Sequence, residues 1–307
     1  MVSERDRHGG PLATALCLGC GLVVNDPIPS DDELSAFYRT EYRVAYKKAA
    51  RPRPRQIIRN FRRVAEHVRR FRDVIDGATR VLDVGAGSGE FLFVMSELGK
   101  TGLGVEPNEG YAAYCREELG LDVRTGEISD DLFEEGAFDL IRLNHVAEHL
   151  ADPVGQLRRV ARWLSGDGVL FVEVPNIEVY CQVKSRGGMF HYGHIFNYSP
   201  WTLRAAAGLA GLAEDPRAAE ACAGATGVFF RRGAPVAPDA VRNATNAAHV
   251  AALIERHYGE GFGERRPWRP LEKLGRRIEE TISAARAGAP KEIGRKVAAD
   301  LRMEHDG

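Results

Sequence analysis

Val81-Leu82-Asp83-Val84-Gly85-Ala86-Gly87-Ser88-Gly89 is an apolar run that ends in an acid and then breaks into alternating glycines. Working outward, Glu106 follows 21 positions after Gly85, at the end of a second apolar run, Leu103-Gly104-Val105. The order reads as strand, tight turn, helix, strand, with a carboxylate at the second strand tip. Glycine lets the backbone turn sharply and lets a ligand approach it closely. The helix start beyond the turn offers free N–H groups to a carboxylate or phosphate. A carboxylate at the second tip can accept both hydroxyls of a ribose. These features predict a site for a nucleoside-containing cofactor.

Glycine spacing and charge discriminate between cofactors. Dinucleotide enzymes use Gly-x-Gly-x-x-Gly. In this chain the third glycine comes one residue early, and Glu90 stands where that pattern wants Gly or Ala. Asp83, two residues before the first glycine, would repel a pyrophosphate but suits a ligand carrying an ammonium group. S-adenosylmethionine (SAM) carries one, together with a carboxylate for the backbone N–H groups. The loop chemistry therefore favours SAM over NAD.

Further motifs follow in order. They are Gly104-Val105-Glu106-Pro107-Asn108, Thr125-Gly126-Glu127-Ile128, Phe138-Asp139-Leu140-Ile141 and Asn144-His145-Val146-Ala147-Glu148-His149-Leu150-Ala151-Asp152-Pro153. Together with the glycine loop they resemble the class I SAM-dependent methyltransferases over roughly residues 60–232. The resemblance implies an α/β fold: a doubly wound, mostly parallel, Rossmann-like seven-stranded sheet with helices on both faces. It also implies a cofactor site of Asp83, Gly85, Ala86, Gly87, Gly89, Glu106, Pro107, Gly126, Glu127, Ile128, Asn144 and His145. Within it Glu127 and Ile128 flank the adenine.

Composition sets bounds. The 307 residues are 44% apolar, enough for a sizeable core. The formal net charge of −1 gives no global field that would attract nucleic acid. No apolar run reaches membrane-span length, and residues 1–7 lead into no signal-peptide core. Five scattered cysteines suit a reducing compartment. The expectation is a soluble cytoplasmic protein.

Along the chain, residues 1–50 read as a loop-like extension, with a short helix from Asp31 to about Tyr38. Residues 51–235 form the SAM-binding domain, and residues 236–307 a helical appendage whose end, after about 290, is expected to pack poorly. Ile57, Phe61, Val64, Val68, Phe71 and Ile75 mark one helix face. Strands are expected near 80–84, 102–106, 121–124, 138–143, 169–174 and 226–231, with helices between the parallel ones. Such alternation means a parallel sheet covered on both faces. Residues 175–198 read as a long loop rich in aromatics and histidine, and loops that long are usually functional or disordered. Ser199-Pro200 opens a helix.

Methyl transfer is an in-line displacement, so the protein mainly positions the acceptor and removes a proton where needed. The loops after the fourth and fifth strands hold four of the nine histidines: His145, His149, His191 and His194. These are the candidate bases, with His194 placed before His191 because it matches the family segment better. His149 also reads as an anchor of the loop–helix junction. His145 suits either the methionine end of SAM or the acceptor.

Cys17-Leu18-Gly19-Cys20-Gly21 resembles half of a zinc knuckle that some relatives carry ahead of this core. A structural zinc needs four ligands, and Cys115, Cys181 and Cys222 show no paired spacing, so no metal is expected. The nine arginines from Arg51 to Arg72 fit the polar face of an amphipathic helix better than a nucleic-acid patch. The leading reading is SAM-dependent methyl transfer to a small-molecule acceptor: a sugar, a nucleotide-sugar or a natural-product intermediate. Competing readings are an RNA methyltransferase using the arginine-rich helix, a non-catalytic SAM-binding scaffold and, last, a nicotinamide oxidoreductase. An oligomer is compatible with the C-terminal helices, which could serve as a dimer arm.

Overall fold

A computed structural model describes residues 1–37, 51–184, 189–220, 224–259, 269–286 and 288–306. Tyr38, where the first helix was expected to end, and Cys222 lie outside the described residues. The chain begins with β1 (Ser3–Arg5), β2 (Pro11–Leu16), β3 (Val23–Asn25), α1 (Asp31–Ala36), α2 (Pro54–Arg70) and α3 (Arg72–Asp76). An alternating stretch follows: β4 (Arg80–Val84), α4 (Glu90–Glu97), β5 (Thr101–Glu106), α5 (Glu109–Tyr114), β6 (Asp122–Thr125), β7 (Phe138–Asn144), α6 (Pro153–Arg162) and β8 (Leu164–Pro175). The chain then forms α7 (Ile177–Val183), β9 (Phe196–Asn197), α8 (Pro200–Leu209), β10 (Leu212–Glu220), β11 (Ala225–Arg232), α9 (Ala244–Gly259), α10 (Arg269–Arg286) and α11 (Pro290–Asp306).

Seven strands form a mixed, mostly parallel sheet in the order β10-β11-β8-β7-β4-β5-β6, as expected for this fold class. β4, β5 and β6 run parallel, while β11 is antiparallel to both β8 and β10. The chain divides into two compact units, residues 1–35 with 143–267 and residues 36–142 with 268–307. This division interleaves segments that the sequence reading set end to end.

In the second unit, β4 is buried from Val81 to Val84, the run expected of a parallel strand covered on both faces. α4 is apolar all round, with Phe91, Leu92, Phe93, Val94 and Met95 buried. A helix of that kind needs partners on every side, and α2 and α11 supply them. α11 is well packed, contrary to the expectation for the end of the chain: Ala298 and Leu301 are fully buried. Its seat is made by Gly294, where a Cβ would stand 2.3 Å from Phe93 Cδ1. The single helix face expected over 57–75 is two helices, α2 and α3, broken at Phe71.

In the first unit, the first 25 residues are not loop. β1, β2, β3 and the short β9 form a second, four-stranded sheet in that order. These strands are too short to show an apolar alternation, and β2 and β3 place apolar side chains next to one another, which is why the sequence hid them. The stretch expected as a loop over 175–198 contains α7, capped by the Asn176 side chain on the N–H of Glu178, and β9. Ser199 and Thr202 make a capping box at the start of α8, with Pro200 in the first turn. β10 was not anticipated.

Candidate functional site

The glycine turn lies entirely within the second unit. Gly85, Gly87 and Gly89 all have positive φ, at 72°, 58° and 80°. At Gly89 any side chain would also collide with Cys115 Sγ and Leu121 Cδ1, each 2.8 Å from a built Cβ. The turn is pinned to β5, because the Gly85 and Ala86 N–H groups both donate to the Val105 carbonyl. Glu106 closes it. One carboxylate oxygen accepts from Gly87 N–H at 2.8 Å and the other from Asn108 N–H at 3.0 Å.

Three buried carboxylates surround this turn: Asp83, Glu90 and Glu106. Asp83 is sealed from water and accepts from Arg142 at 2.8 Å. Burial raises its pKa, opposed by Arg142. The Arg142 guanidinium in turn lies over the Phe91 ring. Glu90 accepts from Ser88 Oγ at 2.7 Å and from Asn60 Nδ2 at 3.2 Å. The Cys115 thiol donates to the Gly87 carbonyl, and its pKa is raised by burial first and then by Glu90, Glu106 and Asp83. Three acids with one arginine make a turn hostile to a pyrophosphate. Neither Arg142 nor Asn60 was singled out from the sequence. Both come from distant segments, and no spacing links them to the turn.

The remaining cofactor candidates are arranged as follows. Gly126, at φ 155°, donates its N–H to the Glu106 carbonyl. Glu127 is exposed, whereas Pro107 and Ile128 are half-buried. Asn144, at the tip of β7, has a buried Oδ1 without a hydrogen-bond partner among the described residues.

All four histidine candidates lie in the first unit, where His145, His149 and His194 come together around two glutamates and His191 packs on His194. His145 has a φ of 57°, an uncommon backbone for a residue with a side chain. Its N–H donates to the Glu173 carbonyl of β8 at 2.8 Å. Its Nδ1 lies 3.3 Å from Glu148 Oε1 and its Nε2 3.5 Å from Glu173 Oε1. Glu148 and Glu173 are buried, whereas the His145 side chain keeps 32% of its surface exposed, more than His149 or His194. His149 Nδ1 is bonded to the Gly193 carbonyl. The His149 and His194 rings meet edge to face at 4.8 Å, and His191 lies 3.8 Å from His194.

The segment carrying His191 and His194 is held by the N-terminal sheet. Asn25 Nδ2 donates to the carbonyls of His191 and Tyr192, and Arg7 N–H donates to that of Phe190. Burial lowers the pKa of His191 to about 2, and burial with His149 and His191 lowers that of His194 well below the usual value. Glu148 and Glu173 escaped the sequence reading. Glu148 stood in a quoted motif without a role, and Glu173 reads as one more residue of an apolar strand.

Several cations of the arginine-rich helix are paired. Within the second unit, Arg59 and Arg62 of α2 pair with Glu280 and Glu279 of α10, and Arg69 pairs with Glu304 of α11. Arg51 and Arg72 also hold acids. Among the described residues, no helix is long and apolar enough to cross a membrane.

Comparison with known proteins places the chain in a family. Residues 55–214, about half of the chain, match the family model Methyltransf_23, described as a methyltransferase domain. The ubiquinone biosynthesis O-methyltransferase of Bradyrhizobium diazoefficiens is 30% identical over 105 residues, covering 33% of this chain and 41% of that one. The protein of the same name from Caulobacter vibrioides is 34% identical over 114 residues, covering 33% and 45%. The chain thus spans less than half the length of these curated relatives. Among solved structures, the Burkholderia thailandensis 1,6-didemethyltoxoflavin-N1-methyltransferase, with 1,6-didemethyltoxoflavin and S-adenosylhomocysteine bound, superposes with a TM-score of 0.47 at 18% identity, covering 69% of this chain and 96% of that one. An O-methyltransferase family protein from the same organism gives 0.48 at 17% identity, covering 65% and 64%.

Proposed function

Since the chain belongs to the methyltransferase domain family, whose methyl donor is SAM, we propose that it transfers a methyl group from SAM to a small-molecule acceptor. The observation that carries this reading is the carboxylate-ringed glycine turn. Its charge suits a sulfonium and ammonium ligand and disfavours a pyrophosphate. The open space beside Gly87, where a Cβ would meet no side chain, leaves the backbone accessible.

The donor, when bound, supplies a methyl group already activated on a sulfonium. In this reading Glu106 accepts the ribose hydroxyls, Gly85, Ala86, Gly87 and Gly89 face the methionine end, and Asp83 fixes the turn through Arg142. Pro107, Gly126, Glu127 and Ile128 border the adenine. The histidine cluster holds the polar group of the acceptor. His145 takes up any proton the acceptor sheds, because its ring is the most exposed of the three histidines in contact with Glu148. His149, His191 and His194 shape and support that surface. Sugars, nucleotide-sugars and natural-product intermediates with a hydroxyl or amine are the acceptor classes to screen.

The test is calorimetric titration with SAM, S-adenosylhomocysteine and NAD, repeated on Glu106→Ala. Each hydrogen bond to a charged group contributes about 1.5–3 kcal/mol. Loss of two should therefore weaken the adenosyl ligands by roughly 100-fold or more, with no NAD binding in either protein. A well-folded chain that ignores both adenosyl ligands would sink the reading.

A further inference from the structure

We propose that Glu148, His149 and His194 bind a divalent first-row transition-metal ion of the zinc class. The three residues offer one carboxylate oxygen and two ring nitrogens, all within 4.8 Å of one another. Glu148 Oε1 lies 3.8 Å from His149 Nε2 and 3.9 Å from His194 Nε2. Those gaps are too long for hydrogen bonds, which span about 2.7–3.2 Å. They are close to the edges of a coordination polyhedron. Donors about 2.0–2.1 Å from a tetrahedral zinc stand about 3.3–3.5 Å apart. The two carboxylate–imidazole edges need to close by a few tenths of an ångström, and the imidazole–imidazole edge, which is within 4.8 Å, by no more than about 1.4 Å.

The tautomer of His149 points the same way. Its Nδ1 donates to the Gly193 carbonyl, and Nε2 stands toward the buried carboxylate. A ring N–H donated to a backbone carbonyl is the usual device that fixes a metal-binding imidazole. Glu148 is 1% exposed, and its Oε2 has no hydrogen-bond partner among the described residues. A buried carboxylate needs a compensating positive charge. His145 Nδ1 lies 3.3 Å from the same oxygen, Oε1. Three protein ligands plus an open position is the layout of a catalytic rather than a structural zinc site. Two imidazoles with a carboxylate suit Zn, Co or Fe rather than Mg or Ca.

The placement of the ligands is built in. Glu148 and His149 belong to a single 3-10 turn, Ala147–His149, directly after β7. The turn carrying His194 is closed by its N–H on the His191 carbonyl and held by Asn25 of β3. The proposal does not depend on the identity of the methyl donor.

The experiment is titration of chelator-stripped full-length protein with Co²⁺, followed by visible absorption, and with Zn²⁺, followed by metal analysis after dialysis. The expected result is one tightly held ion per chain. It should persist in a Cys17→Ser/Cys20→Ser variant and weaken at least ~100-fold in His194→Ala, beyond the ~10–100-fold typical of losing an outer-shell partner. Circular dichroism checks that each variant is folded. X-ray absorption on the zinc-loaded wild-type protein gives the answer without any substitution. A nitrogen and oxygen shell supports the site, whereas a sulfur shell at ~2.3 Å assigns the ion to Cys17 and Cys20 and overturns it. Failure to retain any ion, or retention unchanged in His194→Ala, overturns it equally.

Discussion

Asp83 is fully buried, and among the described residues it forms an ion pair with Arg142, itself nearly buried at 13% exposure. Removing one member of such a pair typically costs about 3–5 kcal/mol, because the survivor is left uncompensated. Replacing both with neutral residues costs far less. Arg142→Leu should therefore lower the urea midpoint strongly, and Asp83→Asn/Arg142→Leu should recover most of the loss. An equal loss in the two proteins would mean that Arg142 stabilises through its packing on Phe91. The cysteines permit a second comparison. Burial pushes the Cys17 thiol up, but hydrogen bonds from the Cys20 side chain and from the backbone at Gly19 and Cys20 outweigh it and leave the pKa below the ordinary value. Burial raises the thiol of Cys20, pushes that of Cys181 up to about 12 and raises that of Cys115 further. Thiolate is the nucleophile. Iodoacetamide at neutral pH followed by peptide mass spectrometry should thus mark Cys17 first and Cys20 more slowly, leaving Cys115 and Cys181 intact while the chain is folded. At this scale Glu106 was legible, since a strand tip lies a fixed distance beyond a glycine turn. Arg142, Asn60 and Glu173 were not, because contacts between residues so far apart leave no spacing in the chain. The convergence of His194 with Glu148 and His149 was hidden for the same reason.

At the scale of elements, the C-terminal helices show how packing can overrule propensity. Glycine in a helix interior costs about 1 kcal/mol relative to alanine. Gly275 in α10 has nothing within 4 Å of a built Cβ, so Gly275→Ala should stabilise the protein by up to about 1 kcal/mol. Gly294 in α11 differs. Its Cβ would stand 2.3 and 2.5 Å from Phe93 ring atoms and 2.9 Å from Phe61 Cε1, and both rings are buried. Overpacking costs about 1–3 kcal/mol, which exceeds the propensity gain. Gly294→Ala should therefore destabilise, as read by thermal melts of the two variants side by side. Stabilisation by both would place α11 farther from α4 than described. The alternating core strands and helices were legible because each buried strand is a continuous apolar run. β1, β2, β3 and β10 were not, since edge and hairpin strands of mixed polarity carry neither period. The packing of α11 was missed because Ala298 and Leu301 look unremarkable until the all-apolar surface of α4 is seen to need a cover.

For the molecule as a whole, the balance of charge argues about partners. The net charge is −1, and the nine arginines between Arg51 and Arg72 are its densest basic stretch. Non-specific RNA binding depends on phosphates displacing counterions from free cations, and it weakens steeply with salt. Five of those arginines already hold acids: Arg51, Arg59, Arg62, Arg69 and Arg72. The exposed ones among these pairs, such as Arg51–Glu118, Arg62–Glu279 and Arg69–Glu304, are individually worth only about 0–1 kcal/mol. Their consequence is electrostatic: each acid cancels the field that would draw in a phosphate. Filter binding of structured and single-stranded RNA at ~0.15 M salt should therefore show no retention, and lowering the salt to ~0.05 M should restore at most weak binding. A Glu279→Gln/Glu280→Gln/Glu304→Gln variant, which releases Arg62, Arg59 and Arg69, should bind RNA measurably better than the wild-type protein. Tight wild-type binding with a steep salt slope would instead revive the RNA reading of the arginine-rich helix and shift the search for an acceptor from small molecules to nucleic acid.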